Sequence, residues 1–169
     1  MHEKAFKERL LGQAKIAAGH RVLDLGAGTG TLTLMVKRRF PEAAVVGLDG
    51  DEAVLVLARD KSARAGLDVT FDHGLSFALP YPDESFDRVL SSLLFHHLTR
   101  DQKERTLREA RRVLRTGGEI HIADWGPAPN PLLRAAFLLV QLLDGFATTT
   151  DNAAGRLPGM LRAAGFADV

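Results

Sequence analysis

The apolar positions along the chain change period repeatedly between helical and extended spacing. Residues 3–18 place Phe6, Leu10, Ala14 and Ala17 at helical intervals, and Gly19 and His20 end that helix. Arg21–Leu25 reads as a short buried strand, followed by the tight turn Gly26-Ala-Gly-Thr-Gly30. A helix carrying Leu32, Met35 and Val36 runs to Phe40-Pro41, and Ala43–Leu48 is a second strand. Residues 51–65 form a helix closed by Gly66, and Leu67–Asp72 a third strand. A loop from His73 to Ser85 leads to a fourth strand, Phe86–Ser92. Thr99 and Gln102 have the spacing of a capping box, which opens a helix to Arg115 with Leu107, Ala110, Val113 and Leu114 on its apolar face. Thr116-Gly-Gly118 ends it, and Glu119–Asp124 is a fifth strand. Residues 131–146 are a strongly apolar helix with a narrow polar stripe of Arg134, Gln141 and Asp144, and residues 152–164 a last helix before Gly165.

Strands that alternate with helices in this way predict an α/β fold, a Rossmann-like doubly wound parallel sheet with helices on both faces. Ligands of such sheets bind beyond the carboxyl ends of the strands, where strand order reverses. The glycine turn after the first strand lies at such a place.

Composition narrows the picture. At 169 residues the chain is expected to be a single domain, 1–169, and its 46% hydrophobic and 25% charged residues are those of a globular protein. Cysteine is absent, which excludes disulfides, thiolate chemistry and cysteine-ligated metals. A thiol-free chain fits a reducing compartment, and the segment Met1–Leu11 is too charged for a signal peptide, so a cytoplasmic location is expected. The apolar run Leu132–Leu143 is too short to span a membrane. With 22 basic against 21 acidic residues, nothing draws the protein as a whole to nucleic acid. Arg105, Arg108, Arg112 and Arg115 do share a helical face, but Glu104 and Glu109 beside them favour a solvated surface over a nucleic-acid patch. The helix at 131–146 fits packing on the sheet, the wall of an apolar pocket or a homodimer contact.

The chemistry concentrates around the turn. The dinucleotide fingerprint G-x-G-x-x-G would need glycine where Thr31 stands. Asp24, two residues before the turn, would repel a pyrophosphate and favour a ligand with an ammonium group and no phosphate. S-Adenosylmethionine (SAM) is such a ligand. Asp49, at the end of the second strand, suits the two hydroxyls of a ribose, or else caps the helix at 51–65.

Val22-Leu-Asp-Leu-Gly-Ala-Gly-Thr-Gly30 resembles the first motif of the class I SAM-dependent methyltransferases, and Leu48-Asp49 their second. Ala78-Leu-Pro-Tyr-Pro-Asp-Glu-Ser-Phe-Asp87 resembles the loop and fourth strand of the branch that includes the ubiquinone/menaquinone-biosynthesis C-methyltransferases. Ser91-Ser-Leu-Leu-Phe-His-His-Leu98 and Val113-Leu-Arg-Thr-Gly-Gly118 continue the likeness, which covers about residues 20–125. The resemblance implies SAM as cofactor. It places Asp24, Gly26 and Ser92 near the methionine end, Ala27, Gly28 and Gly30 in the cofactor turn, and Asp49 and Gly50 at the ribose. Leu75 and Ser76 fall at the adenine, where Leu75 occupies a position that is acidic in the branch and Asp72 is out of register. Gly165–Val169 resembles the entry to a sixth strand, so the last two strands of the family sheet are expected to be missing, and the fifth strand to be an open edge.

His96 and His97 follow the fourth strand on the methyl side. They are candidates for a general base, His97 the better placed, or else a structural pair. Asp124 and Trp125 either line the acceptor pocket or form the turn before Pro127. No histidines stand at metal-ligand spacing. The segment Ser91-Ser-Leu-Leu lacks the Asn-Pro-Pro-Tyr motif of amino-group methyltransferases. The expected function is therefore methyl transfer from SAM to a carbon or oxygen atom of a small-molecule acceptor. The alternatives are a nicotinamide-dependent oxidoreductase and a non-catalytic SAM-binding protein.

Overall fold

The computed structural model describes residues 2–127 and 146–169. The apolar helix expected over 131–146 lies, all but its last position, outside the described residues. Five strands, β1 (Arg21–Leu25), β2 (Ala44–Asp49), β3 (Thr70–His73), β4 (Phe86–Ser92) and β5 (Leu114–Ala123), form one parallel sheet in the order β3-β2-β1-β4-β5. The chain winds outward from β1 to β3 and then crosses back to β4 on the other side of β1. Strand order therefore reverses between β1 and β4, where Leu25 pairs with both Leu48 and Ser91. The doubly wound α/β fold expected from the alternating pattern is the fold observed.

Alternation along the strands decides which side chains meet which helices. Val22, Val45 and Leu90 pack with Leu10 and Leu11 of α1 (His2–Gln13), with Ala14 just beyond it, and with Leu32 and Val36 of α2 (Thr31–Arg39). Leu23, Leu25, Val46, Leu48 and Val89 form a second cluster with Ala110 and Val113 of α4 (Arg100–Val113). Leu55 and Ala58 of α3 (Glu52–Ala65) pack on Phe71 of β3. Thr99 caps α4 in the expected capping box with Gln102. Two short helices follow the undescribed segment, α5 (Phe146–Ala153) and α6 (Leu157–Ala163). Lys103 of α4 fastens α5, donating to the Thr148 carbonyl at 2.5 Å with its ammonium 3.9 Å from the Asp151 carboxylate.

Several boundaries differ from the expected ones. The first helix stops at Gln13, because Lys15 takes a positive φ of 45°; Ile16 is buried and Ala17 exposed. Leu67 belongs to the cap of α3, its N–H donating to the Ser62 carbonyl, so β3 starts only at Thr70. The segment around Gly117 does not stop a helix. It is an irregularity within β5, where the register with β4 shifts between Phe86 and Arg88. The helix expected over 152–164 is broken by Gly155 at φ 66°.

The arginine stripe expected on one helix face is divided, with Arg112 in α4 and Arg115 in β5, and both pair within the chain. Arg112 bonds Glu109 and Asp83 at 2.8 Å and the carbonyls of Tyr81 and Leu79, and Arg115 bonds Asp87 at 2.9 Å. No helix among the described residues is long and apolar enough to cross a membrane.

Candidate functional site

A cavity of about 510 Å³ opens at the carboxyl ends of β1, β2 and β4, at the reversal of strand order. It gathers most of the residues expected there: Gly26, Ala27, Gly28, Asp49, Gly50, Leu75, Ser76, Ser92 and His97 all line it. Asp24 and Gly30 do not. Asp24 is buried behind the turn, and Gly30 caps α2 against the ring of Phe71.

The turn is tied down by its own amides. The N–H groups of Gly26 and Ala27 both donate to the Leu48 carbonyl, at 2.9 and 3.0 Å, and Gly30 N–H donates to the Ala27 carbonyl at 2.9 Å. Gly28 N–H donates to Asp49 Oδ2 at 2.7 Å. Lys61 of α3 holds Thr29 through its carbonyl and hydroxyl. Gly26, Gly28 and Gly30 all take positive φ, which only glycine adopts without strain. At Gly28 a Cβ would meet nothing within 4 Å, so this is where a ligand can approach the backbone.

Asp49 is half-buried at the end of β2, and its other oxygen accepts from Asp51 N–H at 3.0 Å. The cap of α3 is Asp51, which accepts from Ala53 N–H at 2.8 Å. Asp49 thus sits beside the helix rather than capping it, with lone pairs left for a diol.

Asp24 is 1% exposed. Its Oδ2 accepts from the Thr33 hydroxyl at 2.7 Å, while Oδ1 has no hydrogen-bond partner. Burial raises its pKa from 3.8 to about 6, opposed by the Thr33 hydrogen bonds and the charge of Lys7. The native state therefore binds this proton more tightly than the unfolded chain. The stability it adds is whole below about pH 4 and is lost as pH rises through about 6. Between pH 5 and 7 the ligand-free protein should lose on the order of 1–2 kcal/mol that Asp24→Asn does not lose. Paired denaturant titrations check this; parallel pH profiles would assign the shift to another group.

Ser92, at the end of β4, has a buried hydroxyl oxygen without a partner. Leu75 is 49% exposed on the cavity wall, and the nearby Asp72 accepts from the Tyr81 hydroxyl at 2.9 Å. Burial and that carboxylate push the Tyr81 hydroxyl well above its ordinary range. The Ser76 hydroxyl is buried against Thr106 of α4, at 3.0 Å.

The two histidines separate. His97 is exposed on the cavity wall. His96 is buried, its Nδ1 2.9 Å from Asp124 Oδ1, so Nδ1 carries the proton that the carboxylate accepts. Its ring stacks on Trp125, with centroids 4.5 Å apart and planes within 2°. Asp124 is not on the cavity wall. It also accepts from the N–H groups of Phe95 and Trp125, each at 2.7 Å, and from the Asn152 amide at 3.1 Å. It thereby joins the 3₁₀ turn Phe95–His97, the end of β5 and α5.

Sequence reasoning missed Lys7, Thr29, Thr31, Phe77 and Leu98 on the wall. Lys7 was detectable, since it precedes Leu10, Leu11 and Ala14 by three, four and seven residues and so shares their buried face.

Residues 22–118, more than half of the chain, match the family model described as a methyltransferase domain. The chain belongs to that family. The methyltransferase domain is 38% identical over 125 residues to the demethylmenaquinone methyltransferase of Thermus thermophilus, covering 74% of this chain and 56% of the relative. It is 37% identical over 132 residues to the ubiquinone/menaquinone biosynthesis C-methyltransferase of Xanthomonas campestris, covering 72% and 51%. The chain thus spans about half the length of the curated relatives it matches. Its fold superposes on the YcgJ protein of Bacillus subtilis with a TM-score of 0.82 at 25% identity, covering 97% of this chain and 69% of that one. These likenesses place the domain among the class I SAM-dependent methyltransferases.

Proposed function

We propose that this chain transfers a methyl group from SAM to a carbon or oxygen atom of a small-molecule acceptor. The observation that carries the reading is the buried, partnerless Ser92 Oγ on the cavity wall, with Asp24 Oδ1 likewise partnerless behind the turn. Both are hydrogen-bond acceptors, and a buried acceptor without a donor is costly unless a ligand supplies one. An α-ammonium supplies such donors. The amides of Gly26, Ala27, Gly28 and Gly30 are already committed, so the turn does not offer them to a diphosphate, which argues against a nicotinamide cofactor.

SAM brings a methyl group on a sulfonium, already a strong leaving group, so the protein's task is chiefly positioning. Asp24 and Ser92 hold the methionine end, Asp49 takes the ribose hydroxyls, and Gly28 leaves room for close approach. Leu75 packs on the adenine, and Gly50 and Ser76 border it. His97 takes a proton where the acceptor has one to lose. The relatives' names, a demethylmenaquinone methyltransferase and a ubiquinone/menaquinone biosynthesis C-methyltransferase, support a small-molecule acceptor, and the apolar Ser91–Leu94 segment supports carbon or oxygen over nitrogen. The thiol-free composition and balanced charge support a cytoplasmic protein without a nucleic-acid partner, and the expected homodimer contact falls on residues 131–146.

Calorimetry should show SAM binding and no NAD binding. Asp49→Ala should weaken SAM by ~1–3 kcal/mol, the range for hydrogen bonds to a charged group. With an acceptor in hand, His97→Ala should lower turnover roughly 100-fold at unchanged SAM affinity. Unchanged SAM affinity in a folded Asp49→Ala variant would remove the ribose role. SAM binding without turnover of any quinol, phenol or enol acceptor would leave a binding protein.

A further inference from the structure

A groove of about 490 Å³ runs between α4 and α6 and shares no lining residue with the cavity at the glycine turn. Its base is firm, because Met160 of α6 is 8% exposed and packs with Leu107 of α4, Phe95 and Leu98. The two walls differ. α4 contributes Arg100, Glu104 and Arg108, each four residues on from the last, so they form one ridge of the helix. The facing wall is small: Gly159 and Ala163 of α6 are also four apart, with Gly155 four residues before them. A wall without bulky side chains lets another backbone come close.

Charge in the groove is unbalanced. Arg100, Arg108 and Arg156 stand against Glu104 alone. Arg100 bonds Glu104 at 3.3 Å, an exposed pair one turn apart of a kind that adds little. Arg156 lies 3.0 Å and Arg100 4.0 Å from one oxygen of the buried Asp151, whose other oxygen is 3.9 Å from Lys103. Three cations thus share one carboxylate. Arg108 is exposed and pairs with no carboxylate among the described residues.

The spread of these charges decides the ligand. Eight residues of helix set Arg100 and Arg108 about 12 Å apart along α4. An inorganic anion or a single phosphate is too short to meet both. A nucleic-acid strand laid along the ridge would bring its phosphates against Glu104, between the two arginines. A second α-helix has the same rise as α4, so carboxylates about two turns apart on one of its faces meet both arginines. Its small and apolar residues then rest on Gly159 and Ala163. We propose that the groove between α4 and α6 is a docking site for an acidic amphipathic helix of a protein partner.

Fluorescence anisotropy with the full chain tests this. The probe is a labelled alanine–leucine peptide of about 20 residues, long enough to hold a helix, with glutamates along one face. A control peptide carries lysines in their place. The glutamate peptide should bind at low salt with a Kd on the order of 10–100 μM and weaken as salt is raised, and the lysine peptide should not bind. Arg100→Gln combined with Arg108→Gln should weaken the glutamate peptide roughly tenfold or more. Gly159→Leu removes no charge. A Cβ there meets nothing within 4 Å, and leucine favours the helix, so the variant should fold and melt like the unmodified protein. Its side chain fills the groove and should weaken the peptide by roughly the same factor as the arginine changes. Unchanged binding by Gly159→Leu would overturn the proposal and reduce the groove to a charged surface. Displacement of the peptide by inorganic phosphate at constant ionic strength would overturn it in favour of a small-anion site. Tighter binding of a single-stranded oligonucleotide than of the peptide would overturn it in favour of nucleic acid. Self-association in sedimentation that Gly159→Leu abolishes would make the occupant a second copy instead. No binding of the glutamate peptide by the unmodified protein up to about 1 mM would overturn it outright.

Discussion

Gly28→Val should abolish SAM binding in a protein that stays folded, and Gly30→Ala should do the reverse, costing stability with the cavity wall intact. Both glycines have positive φ, 52° and 74°, where an L-residue costs roughly 1–2 kcal/mol. What lies around them differs. A Cβ at Gly28 meets nothing within 4 Å, so a valine there extends into the cavity. At Gly30 a Cβ would sit 2.8 Å from Phe71 Cζ and 3.0 Å from Ala58 Cβ. Phe71 is itself buried, and the same ring lies close against Gly47, 2.8 Å from where a Cβ there would be. Overpacking of this kind adds about 1–3 kcal/mol, for a total near 2–5 kcal/mol. That is a large part of a typical domain's stability of about 5–15 kcal/mol. Thermal melts and calorimetric titrations of the two variants separate the effects. Normal SAM binding by Gly28→Val would mean that no ligand approaches the turn there.

Asp124→Ala should be among the most destabilising single changes on the catalytic side of the sheet. Four donors converge on that carboxylate, from Phe95, His96, Trp125 and Asn152. Each buried donor left without its acceptor costs ~1–3 kcal/mol, and because the four share one site the loss should be near 3–5 kcal/mol rather than the full sum. The 3₁₀ turn that presents His97 hangs from this carboxylate, so turnover should fall further than SAM affinity. Asp124→Asn keeps one accepting oxygen and should fall between the two. Denaturant midpoints measure the first effect and single-turnover rates the second. A midpoint for Asp124→Ala within about 0.5 kcal/mol of the unmodified protein, the level of an ordinary surface change, would show that the turn is held by other contacts.

Much of the sheet was legible because its signals are local. β1 and β4 begin and end where the apolar runs do, and the capping box at Thr99 and Gln102 is a pattern of four residues. Boundaries failed where backbone geometry, not pattern, decides. Nothing in the residue types at Lys15 announces a positive φ, and Gly155 reads as easily inside a helix as between two. In the site, the glycine turn and Asp49 were legible from their places at strand ends, Ser92 followed from the family resemblance, and His97 from its position just after the fourth strand; all but Gly30 line the cavity. The division between His96 and His97 was not legible, since it depends on Asp124, 28 residues away. Lys7 was missed although its spacing to Leu10, Leu11 and Ala14 puts it on their buried face. Asp24 was assigned to the site, yet it is buried behind the turn and absent from the cavity wall.

The commitment of the turn amides to Leu48 and Asp49 bears on how a ligand arrives. Fixing a backbone residue costs about 1–2 kcal/mol in conformational entropy. For the residues from Gly26 to Gly30 that cost falls within folding, where β2 and α3 share it, and not within association. A receptor of this kind binds by one fast bimolecular phase at its glycine turn, with no slow rearrangement to follow. Its affinity is then coupled to the integrity of β2, so a change that loosens that strand should raise the ligand's off-rate before it unfolds the domain.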